Sequence, residues 1–250
     1  MKAHCSSILL MLRFILVTLL VSLVIQSKSQ NINHYGLFPT IDHSGTLSDK
    51  WSYSLYYFNA FNLVNDEVDN VANNPGYFLF YAEQAISYQL NKNLSVTGSY
   101  VYQRQEPLDK QNYVSENRFY LQATYKSPIG NGQLKNRLRY DGRFIEDNVS
   151  HTWPYTSRIR YQLGISYPLS EKIYFSAYNE MFFNTYPNPT AVYAENWAYA
   201  GLGIHTKSFG SWELGPLYIF WVADRSRDLL NFNYLQLTWI THLDFRKRKN

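Results

Sequence analysis

A chain of 250 residues suffices for one barrel or for one to two soluble domains. A mean hydropathy of −0.35 excludes a helical membrane bundle, and 23 Tyr with 15 Phe exceed what a soluble core of Leu, Ile and Val would use. The net charge of +4 is mild, and the aromatics alternate along strands instead of interleaving with a basic groove, so nucleic acid is not implied as a partner. Tyrosine in such number suits a boundary between lipid and water, because its ring is apolar and its tip polar.

Residues 1–29 read as a cleaved export signal. Lys2 and Arg13 supply positive charge before an apolar run from Phe14 to Ile25, and Ser27 and Ser29 fit a cleavage site that leaves Gln30 first in the mature chain. The run is shorter than the roughly 20 residues of a spanning helix, and polar sequence follows at once. An uncleaved anchor is the alternative. Cys5 precedes the run, where a lipoprotein signal would need it to follow. The mature chain thus has no cysteine, which excludes a disulfide, a thiolate nucleophile and a Cys-based metal site.

Residues 30–50 form an N-terminal segment of open role. Tyr35 to Thr46 could be a first strand, or could fold into the lumen or along the rim, since Pro39 and Gly45 weaken it as an interior strand. From Trp51 to Phe245 the period is two. Strands are expected to start near Trp51, Tyr77, Leu94, Ser115, Leu134, Tyr155, Ile173, Glu195, Trp212 and Phe232. One of them sets Phe119, Leu121 and Tyr125 on one face and Glu116, Arg118, Tyr120 and Gln122 on the other. The next sets Leu138, Tyr140 and Phe144 against Lys135, Arg137, Arg139, Asp141 and Arg143. Such runs have the length a tilted strand needs to cross a bilayer, about ten residues, whereas soluble strands average about five or six.

Tight turns at Leu47–Lys50, Asn91–Asn93, Ser127–Gly132, Ser170–Lys172 and Ser208–Ser211 alternate with longer connections. The longer ones collect Asp66, Glu67, Asp69, Glu106, Asp109, Glu146, Asp147, Asp224 and Asp228. Short turns at one end and long loops at the other indicate a closed antiparallel transmembrane β-barrel of about 10–12 strands, its short turns periplasmic and its longer loops extracellular. Two aromatic girdles are expected on the outer face: Trp51, Tyr53, Tyr88, Tyr125, Tyr167 and Trp212 toward the short turns, and Phe78, Tyr102, Phe119, Tyr155 and Phe183 toward the long loops. The last strand alternates and ends on Phe245, in the position read by the barrel-insertion machinery. The basic tail 246–250 is expected in the periplasm. Outer-membrane lipid and that machinery are therefore the expected partners, and no solute is identified.

At Arg137 to Tyr140, Ser157 to Leu169 and Tyr178 to Asn184, and again at Gly201 to Gly203 and Asn233 to Leu237, the chain resembles a bacterial family known as domain of unknown function 2490. The resemblance covers most of the mature chain. It implies an outer-membrane barrel in a Gram-negative bacterium and carries no catalytic residue with it.

Charge marks the inward face. Arg118, Arg137, Arg139, Arg143, Arg158 and Arg160 share inward parity with Glu83, Glu116, Asp141, Glu180, Glu195 and Glu213. An arginine facing lipid at mid-bilayer costs roughly 2–4 kcal/mol, so the lumen is their expected home. There they would either line a narrow anion-selecting channel or form a salt-bridged plug. A lipid-modifying hydrolase or acyltransferase is the competing class, with Ser150, His151 and Asp147 close together in one loop. Carbohydrate stacking on loop aromatics and a soluble secreted β-protein are weaker readings. No histidine pair has metal-site spacing, and Gly201-Leu202-Gly203 lacks the rest of a dinucleotide fingerprint, so no cofactor is expected.

Overall fold

The computed structural model describes residues 31–65, 76–106, 113–187, 192–222 and 229–246. The expected export signal, the loop acids Asp66, Glu67, Asp69, Asp109, Asp224 and Asp228, and the tail from Lys247 to Asn250 lie outside them. Among the described residues there are eleven strands: β1 (Asn31–Thr46), β2 (Trp51–Asn65), β3 (Gly76–Gln89), β4 (Leu94–Gln105), β5 (Val114–Ile129), β6 (Gly132–Ile145), β7 (Tyr155–Pro168), β8 (Ile173–Tyr186), β9 (Tyr193–His205), β10 (Ser211–Val222) and β11 (Leu229–Asp244). They form one closed barrel in sequence order. The shortest strands have 12 residues and the longest 16, more than a tilted strand needs to cross a bilayer.

Neighbours pair antiparallel all the way from β1 to β11. With eleven alternating strands, the first and last point the same way, so the closing ladder is parallel, from Asn31 opposite Leu229 to Thr46 opposite Asp244. This corrects the wholly antiparallel closure expected from the sequence, and it departs from the even strand number of bacterial single-chain barrels. It also assigns residues 35–46, which are barrel wall. Pro39 is exposed on the outer face, where the ladder to β2 skips from Leu37 to Thr40. A proline without a donor fits such a gap.

Side-chain alternation puts oil outside. Leu121 is 71% exposed, while its neighbour Tyr120 is buried in the lumen. The short turns repeat one device. The Ser48 hydroxyl accepts the Trp51 N–H at 3.1 Å, Ser170 accepts that of Ile173 at 3.1 Å, and the Asn91 side-chain oxygen accepts that of Leu94 at 3.0 Å. Asn and Ser side chains favour turns because they supply these acceptors locally. Gly130 and Gly210 take positive φ in the two turns that need it.

One girdle residue is misplaced by parity. Ala60 pairs with Leu79 and Phe61 with Tyr77, so Phe78 is the extra residue of a β-bulge. The bulge turns its ring into the lumen, where it is buried and stacks on Phe232 with ring centroids 5.1 Å apart.

Candidate functional site: a charged and aromatic lumen

The inward parity of β3 and β5–β10 delivers all twelve expected charged residues to the lumen. Asp141 on β6 is the hub and is 0% exposed. Arg139 Nε donates to its Oδ1 at 2.6 Å, and Arg158 Nε donates to its Oδ2 at 2.9 Å. Arg160 and Arg118 place guanidinium nitrogens 3.6 and 3.9 Å from the same carboxylate. Three further carboxylates distribute the remaining charge. Glu116 accepts from Arg118 Nε at 2.6 Å and takes Arg143 bidentately at 2.8 and 2.7 Å. Glu180 accepts from Arg160 Nε at 2.7 Å and pairs with Arg137 at 2.7 Å. Glu195 accepts from Arg158 Nη1 at 3.1 Å.

The network does not stay on one wall. Arg139 reaches three strands round the barrel to Glu83 on β3, with Nη1 3.3 Å from the carboxylate. Glu83 also accepts the hydroxyls of Tyr81 and Tyr120, each at 2.6 Å. Paired and fully hydrogen-bonded in this way, charges can be held in a low-dielectric interior. Glu213 stands apart, beside Tyr174, Tyr199 and Ser176 on the far wall.

Aromatic rings complete the circuit. Arg139 lies 3.4 Å from the Tyr120 centroid, and Arg160 and Arg158 lie 4.3 and 4.8 Å from that of Phe182. Phe182 contacts Trp197 at 5.7 Å. Trp197 meets Phe38 and Phe58 edge-on at 5.9 and 6.1 Å, and Phe58 stacks on Tyr81 at 4.5 Å. Trp197 on β9 and Phe58 on β2 are four strands apart in the ring, so this contact crosses the lumen. Charged and apolar halves thus meet in one continuous belt, from Asp141 through Arg139, Glu83, Tyr81, Phe58, Trp197, Phe182 and Arg160 back to Asp141. The space left in the lumen is a cavity of about 410 Å³.

Sequence parity finds the charges but misses their partners. Tyr81, Tyr120, Phe182, Trp197 and Gln103, which accepts from Arg118 at 3.1 Å, have no signal beyond inward parity. Asp42 lines the same lumen and goes unseen because β1 is ambiguous in sequence.

The loop candidates Ser150, His151 and Asp147 share one turn, and their polar groups serve that turn. Ser150 Oγ shares a 2.7 Å hydrogen bond with Thr152, and Asp147 Oδ1 accepts the Val149 and Ser150 N–H groups at 2.9 and 3.1 Å. The Ser150 and Val149 amides hold the Asp147 carboxyl below its usual range. Asp147 is thereby the cap of its own turn. His43 is bonded to Thr241 and Tyr53, His205 to Ser211, and His242 to Ser44 and Thr46. Among the described residues no three His, Cys, Asp or Glu side chains converge as metal ligands would. Gly201 and Gly203 have a packing reason: the rings of Tyr199 and Tyr174 lie where a Cβ would stand.

No curated protein and no solved structure matches the chain. A family model described as Protein of unknown function (DUF2490) matches residues 36–228, from within β1 to the segment preceding β11. The chain therefore belongs to the protein family of unknown function DUF2490.

Proposed function

We propose that this protein is an outer-membrane β-barrel, exported by a cleaved signal, whose lumen is sealed at mid-height and does not conduct solutes. The observation that carries this reading is the belt across the lumen. Its arginines are not displayed to water as a selectivity ring would be: Arg118, Arg139 and Arg158 are 1%, 2% and 4% exposed. An anion channel needs its charges solvated and its binding weak enough for ions to leave. Here Arg118, Arg139, Arg158 and Arg160 are each held by carboxylates on two strands. Membrane residence is supported by the exposed apolar outer face, by strands of bilayer length and by Trp51, Tyr125 and Trp212 standing outward near the short turns. An inner face packed with charge and an outer face of Leu, Phe and Tyr is the reverse of a soluble barrel.

The location test is fractionation with sidedness. The protein should be recovered with outer membranes and migrate differently on gels before and after heating. A cysteine at Val149, in a long-loop connection, should react with an impermeant reagent on intact cells, and a cysteine at Lys172, in a short turn, should not. Recovery as soluble protein without detergent would contradict the reading, and labelling of Lys172→Cys alone would invert the topology.

A further inference from the structure

Toward the short-turn end, the lumen cavity has two unlike walls. On one wall β6 carries Lys135 and Arg137, with Gln122 of β5 and Gln162 of β7 on either side. On the other, β1 carries Asp42 and β10 carries Glu213, with Thr238 of β11 opposite Glu213 and Gln236 two residues further along that strand. β1 and β6 lie five strands apart in a ring of eleven, so the two walls oppose each other. All of these residues line one cavity with Ser54, Ser87, Thr97 and Ser176, which lie toward the short turns.

The charges in this chamber are not paired as those of the belt are. Arg137 has Glu180, but among the described residues neither Lys135 nor Asp42 nor Glu213 has an opposite charge within 4.0 Å. Lys135 and Asp42 line the same cavity from strands five apart in the ring. Several polar atoms are left without partners. Arg137 Nε and the side-chain oxygens of Gln122, Gln162 and Gln236 are buried and make no hydrogen bond. Gln162 and Gln236 are each 4% exposed. Buried polar atoms in native proteins are nearly all satisfied, by protein, water or ligand. Here the unsatisfied atoms in the cavity are one guanidinium donor and three amide oxygens, between a wall that carries Lys135 and a wall that carries Asp42 and Glu213.

We infer that this chamber is a binding site for a small zwitterion of amino-acid or dipeptide size, its carboxylate toward Lys135 and Arg137 and its ammonium toward Asp42 and Glu213. A molecule with both charges meets both walls, and its N–H groups reach the orphaned Gln oxygens. A dianion or a diamine would satisfy one wall and face like charge on the other. On the reading that the belt seals the lumen, the site takes its ligand from the short-turn side and does not pass it on. The inference concerns the lumen alone and holds whichever membrane or compartment the barrel occupies.

The test uses the full mature chain refolded in detergent. Its melting is measured with free glutamine, with glycylglycine, and with succinate and putrescine as single-sign controls. Binding to the folded state raises the melting temperature in proportion to affinity and concentration. Glutamine or glycylglycine at millimolar concentration should stabilise the protein, and succinate and putrescine should not. Calorimetric titration of Asp42→Asn and Lys135→Gln should each show affinity weakened about tenfold or more. Both residues lie outside the belt, and a circular-dichroism spectrum unchanged from wild type confirms that each variant is folded. If a variant does not fold, the wild-type comparison of zwitterion with single-sign ions decides alone. Equal stabilisation by all four compounds, or by none, would overturn the inference, as would undiminished zwitterion binding in the two variants.

Discussion

Replacing Asp141 by alanine should destabilise the barrel by about 3–5 kcal/mol, the cost of removing one partner from a buried ion pair. Arg139 and Arg158 donate to this carboxylate directly, and Arg118 and Arg160 stand within 4.0 Å of it. Each of these arginines retains another acceptor in Glu83, Glu195, Glu116 or Glu180. What remains after the substitution is mutual repulsion among four cations around an empty centre. Asp141→Asn keeps the shape and removes the charge, so it should account for most of the loss. Glu213→Gln, outside the belt, should change melting far less. Thermal melting in detergent followed by β-sheet signal checks all three. Equal melting of Asp141→Ala and wild type would show that the arginines are solvated and that no plug exists.

The second large effect belongs to the apolar half. Trp197 touches Phe38, Phe58 and Phe182 and donates its indole N–H to Glu195 at 3.2 Å. It is the ring that carries the belt from one side of the lumen to the other. Trp197→Ala should cost about 3–5 kcal/mol, as large aromatic truncations in packed interiors do. It also removes the hydrogen-bond partner of one Glu195 oxygen. Trp197→Phe should recover part of the loss by keeping the ring contacts without the indole donor. Denaturant unfolding of the two variants measures the difference. A loss below about 1 kcal/mol in Trp197→Ala would mean that the ring lies in open space.

Much of this architecture is legible in the alternation of side chains. The period of two on β5, β6 and β7 fixes which of Glu116 to Tyr125, Lys135 to Phe144 and Arg158 to Tyr167 face the lumen, because a one-residue slip would send every arginine to the apolar outer face. Strand starts follow from the turn residues Ser48, Asn91 and Ser170, whose side chains cap the connections. Three features were hidden for separate reasons. β1 carries Pro39 and Gly45 and pairs in parallel with a strand almost the whole chain away, which no hairpin signal announces. Phe78 breaks parity through a bulge, and parity has no way to signal an extra residue. The partners of each charge depend on the stagger of the strands round the barrel. Arg139 meets Glu83 across 56 residues of sequence, and local pattern cannot match their heights. Inward direction is a property of one strand, whereas pairing is a property of the closed ring.

If the belt from Asp141 to Trp197 closes the lumen, the barrel carries no ion current. Conductance in a planar bilayer tests it most directly, measured for the wild-type protein and for Arg139→Ala under the same salt gradient. Arg139 lies against Asp141, Glu83 and Tyr120, so its loss breaks the belt where the charged wall joins the opposite strands. A sealed lumen gives no steady current in the wild type, and the variant melts markedly lower. A steady anion-selective current in the wild type, reduced in Arg139→Ala with melting unchanged, would make the arginines a solvated filter and contradict the account.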